Sequence, residues 1–373
     1  MNQADSIGEL RRLGQSVWLD QIDREMIRSG RLASYRDLGV SGITANPTIF
    51  ARALQASDAY TDDIARRFDQ GQDAEAIVWD LLIEDVQAAA DVFRPVFDRE
   101  RGNDGFVSIE VSPEIAGDTE KTIAAAHDLR RRCDRPNVMV KIPATPAGLP
   151  AIEAMTAAGA NINVTLIFAV ERYVKVVDAF LNGLERLRVG GGDVSRVRSV
   201  ASFFVSRVDT KVDERLSRKI TEAGGERKFE LQSLLGKAAI ANSKLAYEIF
   251  TQLHSGQRWD RLRASGASVQ RCLWASTSTK NPSYSDTMYV DELIGPATVN
   301  TMPVSTLEAF LDHGRVSPTL QHDVEGARRL LDELAARGID LAAITQELED
   351  EGVAGFAKSF RESIQQLSKV RTH

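Results

Sequence analysis

Cysteine is nearly absent from this chain. Only Cys133 and Cys272 occur in 373 residues, too few for a disulfide framework and without the spacing of a zinc site. Histidine is scarce as well: the five, at positions 127, 254, 313, 322 and 373, show no metal-ligand spacing. A metal centre and a Cys/His protease centre are therefore not expected. A reduced, cytoplasmic setting is. Positive charge is in deficit, with Lys+Arg 46 against Asp+Glu 53, a net charge of −7. That balance opposes broad binding to nucleic acid or to an anionic membrane, both of which need a basic field. It leaves room for a small basic pocket that takes a phosphorylated metabolite. No run approaches the roughly 18 apolar residues of a membrane span. Residues 1–12 are polar and charged, so no secretion signal is expected there.

What is present is ordinary globular material, 43% hydrophobic and 27% charged, with enough apolar surface to offset ordering entropy. Short apolar runs alternate with longer amphipathic ones. The short runs are 16–20, 39–44, 105–111, 137–142, 161–168, 198–204, 271–275 and 297–302. They are rich in Val, Ile and aromatic residues, bounded by Gly, Pro, Asn or Asp, and mostly apolar throughout, as strands buried on both faces are. Between them, residues 76–97 and 228–253 carry apolar residues at helical spacing. A helix is expected from 118, and the stretch 324–367 reads as helices broken at Gly338 and Gly352. Eight strand-like runs alternating with helices predict an α/β fold, a single (β/α)8 TIM barrel with extra N-terminal and C-terminal helices. The competing doubly wound sheet announces itself by a glycine-rich turn after the first strand. Here that strand is followed by DQIDREM, without glycine. No linker composition divides the chain, so residues 1–373 are read as one domain.

Ionisable residues sit where such strands end: Asp20, Glu110, Lys141 and, just past the sixth run, Arg207. A charge in a buried strand costs several kcal/mol unless it is paired or used. Strand C-termini form the floor of a barrel's active site. Lys141, in NVMVKIPAT, is the sharpest of these. Burial favours a neutral amine, and a neutral amine is the nucleophile of Schiff-base chemistry on a carbonyl. Asp20 and Glu110 supply the carboxyl groups for proton transfer, although one of them pairing structurally with Lys141 explains the pattern equally well. Thr44 and Asn46 in TANPT, and Asn163 with Thr165 two apart on one strand face, suit hydroxyl recognition or plain turn and cap chemistry. Ser202, Arg207, Ser276 and Lys280 suit a phosphate at the later strand–loop junctions.

Together these residues resemble the transaldolase family, in its longer bacterial form. The likeness rests on GITANPTIF (42–50), VSIEVSPEIAGDTE (107–120), VKIPATPAGL (140–149), NINVTLIF (161–168), ASFFVSRVD (201–209) and WASTSTKNP (274–282), in that order. It implies a class I aldolase-like barrel without metal or cofactor. It implies transfer of a dihydroxyacetone unit from sedoheptulose 7-phosphate to glyceraldehyde 3-phosphate, giving erythrose 4-phosphate and fructose 6-phosphate in the non-oxidative pentose phosphate pathway. Lys141 would form the Schiff base. Glu110 would move protons through a water held with Thr165, and Asp20 would take the proton of the C4 hydroxyl. Asn46, Asn163 and Ser202 would hold hydroxyls and Arg207 the phosphate, with Lys280 where shorter relatives carry an arginine. Many relatives follow the first-strand aspartate with Thr or Ser, whereas here Gln21 stands next to Asp20. Two alternatives stay open: a related Schiff-base aldolase that releases free dihydroxyacetone, and a catalytically silent barrel scaffold. Phosphorylated sugars are the expected partners, for a monomer or homodimer.

Overall fold

The computed structural model describes residues 3–370. Eight parallel strands close on themselves in sequence order, with the last paired to the first. They are β1 (Gln15–Leu19), β2 (Gly42–Thr44), β3 (Val107–Glu110), β4 (Val138–Pro143), β5 (Ile162–Ile167), β6 (Ser199–Phe204), β7 (Gln270–Ala275) and β8 (Thr298–Met302). Each lies on one of the eight apolar runs. Every residue of β3, β4, β5 and β6 is buried, because the barrel interior covers one face and the outer helices the other. The closed barrel excludes the doubly wound alternative.

Local chemistry sets where the helices begin. Asp73 caps Ala74–Arg99 and Asp118 caps Thr119–Cys133, each carboxylate accepting a backbone N–H of the first turn. Asn46 caps Pro47–Ala56 in the same way, with Pro47 at the first helical position. Two expectations need correction. The helical pattern over 228–253 is not one helix: Gly225–Gln232 and Ala238–Leu253 are separate. The break carries Gly236 at φ +69°, a left-handed conformation suited to glycine. Its N–H is taken by Asp213 at 2.9 Å. The expected break at Gly338 is present, at φ +73°. The one at Gly352 is not: the last helix runs unbroken over Leu341–Val370. Gly352 instead permits close approach, since a Cβ there would stand 2.9 Å from Leu166 Cδ2. Leu166 belongs to a bulge in β5, where the register against β6 shifts between Val164 and Ile167.

The last helix crosses the C-terminal face of the barrel. One end is tied by Arg172–Glu349 at 3.1 Å and by Lys211 to Glu347 and Glu351 at 2.7 and 2.6 Å. Further along, Ser359 bonds Thr48 at 2.8 Å, and Phe360 lies against Trp79 with ring centres 5.3 Å apart. At the other pole, the N-terminal helix Gln3–Arg12 packs on β1.

Candidate active site

Register brings the polar residues of β3, β4 and β5 into one layer. Glu110 lies beside Lys141, Lys141 beside Asn163, and Pro143 beside Thr165. Lys141 Nζ is 3.1 Å from Glu110 Oε2 and donates to the Ala45 carbonyl at 3.1 Å. Both side chains are about 4% exposed, so each is the other's main charged neighbour. Asn163 donates to Ser108 at 3.0 Å and accepts from Ser202 at 2.7 Å. Thr165 Oγ1 is buried without a protein partner. Just past β1, Asp20 accepts from Thr44 Oγ1 at 2.7 Å. Since that hydroxyl's proton is committed to Asp20, Thr301 on β8 must donate in its own 2.7 Å contact with Thr44.

These groups open onto a cavity of about 640 Å³ at the C-terminal end of the barrel. Nine of the eleven candidate residues line it: Asp20, Thr44, Asn46, Lys141, Thr165, Ser202, Arg207, Ser276 and Lys280. Glu110 and Asn163 do not. Glu110 is reached through Lys141, and Asn163 lies beneath Ser202 and orients it. Asn46 spends its side-chain oxygen on the Ile49 N–H at 2.9 Å, which leaves its amide nitrogen to donate into the cavity. Ser276, at φ +57°, is held in the left-handed region by Ser206, whose N–H meets its carbonyl at 3.0 Å and whose hydroxyl meets its own at 3.0 Å.

Burial moves both acids the same way, against different opposing groups. Burial raises the pKa of Glu110, and Lys141 pulls it back only in part. Loss of bulk water also raises Asp20, opposed by the Thr44 hydrogen bond and by the charges of Lys141, Arg207 and Lys280. Burial lowers Arg207, whose guanidinium lies 5.3 Å over the Phe204 ring. Burial lowers Lys280 too, followed by repulsion from Arg207 and Arg52. A buried amine, two carboxyls above their ordinary range and a cationic rim can perform acid–base-assisted covalent chemistry on an anionic carbonyl compound.

Residues 17–367 match the family model "Transaldolase/Fructose-6-phosphate aldolase". The chain belongs to this family. It is 48% identical over 370 residues to a transaldolase of Mycolicibacterium paratuberculosis, covering 98% of this chain and 97% of that one. With a transaldolase of Thermobifida fusca it shares 47% over 363 residues, 97% of each chain. With one of Acidothermus cellulolyticus it shares 49% over 360 residues, 96% of this chain and 95% of the other.

Among the cavity residues that escaped the reading from sequence are Thr301, Phe204, Arg52 and Phe356. Arg52 had a signal, since it shares a helical face with Ile49, Ala53 and Ala56. Phe356 had none, because it arrives from the far end of the chain on the last helix.

Proposed function

We propose that this chain is a transaldolase acting through an imine on Lys141. The observation that carries this reading is Lys141 Nζ at 3.1 Å from a buried Glu110, on the floor of a cavity that Asp20 and Thr165 also line. Glu110, held above the ordinary carboxylate range, takes the proton that the amine sheds before attack. The amine nitrogen adds to the C2 carbonyl of the donor ketose phosphate, and the carbinolamine loses water to give the imine. Glu110 moves these protons through a water shared with Thr165; the buried, unpartnered Thr165 hydroxyl fits that role. Asp20, ionised and steadied by Thr44, accepts the C4 hydroxyl proton as the C3–C4 bond breaks. The aldose phosphate leaves, and its electron pair stays as an enamine on Lys141. A second aldose phosphate then accepts the three-carbon unit by the reverse steps. In the pentose phosphate reaction the donor is sedoheptulose 7-phosphate and the acceptor glyceraldehyde 3-phosphate. Thr44, Asn46 and Ser202, the last set by Asn163, hold donor hydroxyls. Arg207, Lys280 and Ser276 hold phosphate.

No helix among the described residues is long and apolar enough to cross a membrane. Both cysteines are buried and unpaired, which supports a cytoplasmic setting. We take the chain to act as one domain, as a monomer or homodimer, with no nucleic-acid partner.

Borohydride reduction with fructose 6-phosphate tests the chemistry. A stable adduct at Lys141 is the expected result, and its absence at any lysine points to a silent scaffold. Lys141→Ala is expected to lose the adduct and at least about a thousandfold in turnover while remaining folded; retained turnover overturns the assignment. Cleavage of fructose 6-phosphate without an aldehyde acceptor, as fast as with one, would make the chain an aldolase that releases dihydroxyacetone.

A further inference from the structure

Helix Pro47–Ala56 presents Ile49, Arg52, Ala53 and Ala56 to the cavity. The spacing is i, i+3, i+4, i+7, so Arg52 is on the cavity face by helical geometry. The other face, with Phe50, Ala51 and Leu54, is buried in the core, which holds the helix in that rotation. Arg52 is exposed, and no carboxylate among the described residues is recorded within ion-pair distance of it. Arginines elsewhere, such as Arg24, Arg172 and Arg258, are paired. Among the described residues Arg207 and Lys280 also have no carboxylate within ion-pair distance, although the charge of Asp20 acts on both; Lys280 donates to the Ser278 hydroxyl at 2.7 Å. Three acids share the cavity wall, each accepting hydrogen bonds from neutral donors. Asp20 accepts from Thr44. Asp23 accepts from the Met26 N–H and from Gln21. Glu25 accepts from Ser57. Three cations without an ion-paired carboxylate among the described residues stand on the wall of one cavity, close enough for Arg52 and Arg207 to repel the Lys280 charge while Asp20 attracts both Arg207 and Lys280; together they form a receptor for a dianion.

We propose that Arg52 is the third cation of the phosphate grip, reaching in from the wall opposite Arg207 in sequence order, and that it sets the preference for phosphorylated over unphosphorylated sugars. The proposal rests on the transaldolase reading. It adds a residue that no strand end supplies, carried by the helix that starts at Asn46. A single helix thereby couples recognition of the donor's hydroxyls at its first turn to recognition of phosphate near its middle. As an exposed guanidinium, Arg52 acts through a salt-screened field and a bidentate fork.

The test compares kcat/KM for glyceraldehyde 3-phosphate with that for glyceraldehyde, at saturating fructose 6-phosphate. Arg52→Ala should lower this ratio about tenfold and weaken competitive inhibition by inorganic phosphate to a similar degree, with Arg52→Lys recovering part of both. Raising salt should shrink the difference between wild type and Arg52→Ala. If Arg52→Ala forms the borohydride adduct yet keeps the wild-type ratio and phosphate inhibition, the role of Arg52 is overturned and the transaldolase reading stands. If the wild type forms no adduct, it is the transaldolase reading that fails.

Discussion

The Asp20 carboxylate has two opposed influences, and one of them can be removed by a single substitution. Burial raises its pKa, and the Thr44 hydroxyl, 2.7 Å away, holds it down by donating to the ionised form. Thr44→Val keeps the shape and deletes that donor. A base must be ionised to accept the C4 hydroxyl proton, so activity is lost as pH falls through its pKa. The acid limb of the kcat/KM profile should therefore move to higher pH in Thr44→Val. A limb that stays in place, or moves to lower pH, would show that Asp20 is not the group that limits the reaction in acid. At this scale the sequence was most informative. A lysine, a glutamate and an aspartate inside apolar strands carry a desolvation cost that marks them wherever they occur. Arg52 carries no such mark, because an arginine on an exposed helix is chemically unremarkable until its neighbours are known.

The helix Ser206–Glu222 carries Arg207 in its first turn and is anchored there by Asp209. Its carboxyl accepts from the Ala239 N–H at 2.7 Å and from Tyr289 at 2.9 Å, tying it to two later segments. Burial pushes the Asp209 pKa up to about 7, with Asp213 adding to the rise and the two hydrogen bonds opposing it. The folded protein thus binds a proton at Asp209 that the unfolded chain releases near its ordinary value of 3.8. The stability from that proton is complete below about pH 4. It declines as pH rises toward 7, by at most roughly 1.4 kcal/mol per unit, and is flat above. Asp209→Asn should remove this slope. Urea unfolding of both proteins at pH 5, 6 and 8 checks it, because the buried carboxyls that remain, such as Asp20 and Glu110, cancel in the difference. Equal slopes would place the proton elsewhere. The elements themselves were largely legible, because strand burial and helical period are local patterns. The errors came where a glycine does one of two opposite things. Gly236 turns the chain in the break between two helices, whereas Gly352 lets one helix lie close to Leu166. Only the neighbour across the gap distinguishes them.

At the level of the whole molecule, the last helix joins the far end of the chain to the catalytic face. Phe356 comes from it into the cavity wall, within reach of the space above Lys141 and Asp20. An enamine must be kept from water between departure of one aldehyde and arrival of the next. Phe356→Ala should admit water and raise the share of turnover that ends as free dihydroxyacetone, several-fold without acceptor, while transfer falls. Measuring dihydroxyacetone release with and without erythrose 4-phosphate decides the matter; an unchanged share would mean that the barrel walls alone keep the enamine dry.

The order of strands and helices, the parallel closure they allow and the amine with its two acids were already determined by the sequence, since each follows from period, burial cost or local capping. That Glu110 is the carboxyl beside the amine was decided by register between strands whose paired residues are 31 apart in the chain. The cationic wall and the aromatic cover were likewise decided only in three dimensions. They join Arg52, Arg207, Lys280 and Phe356, and proximity among such distant positions is a property of chain closure that no local pattern encodes.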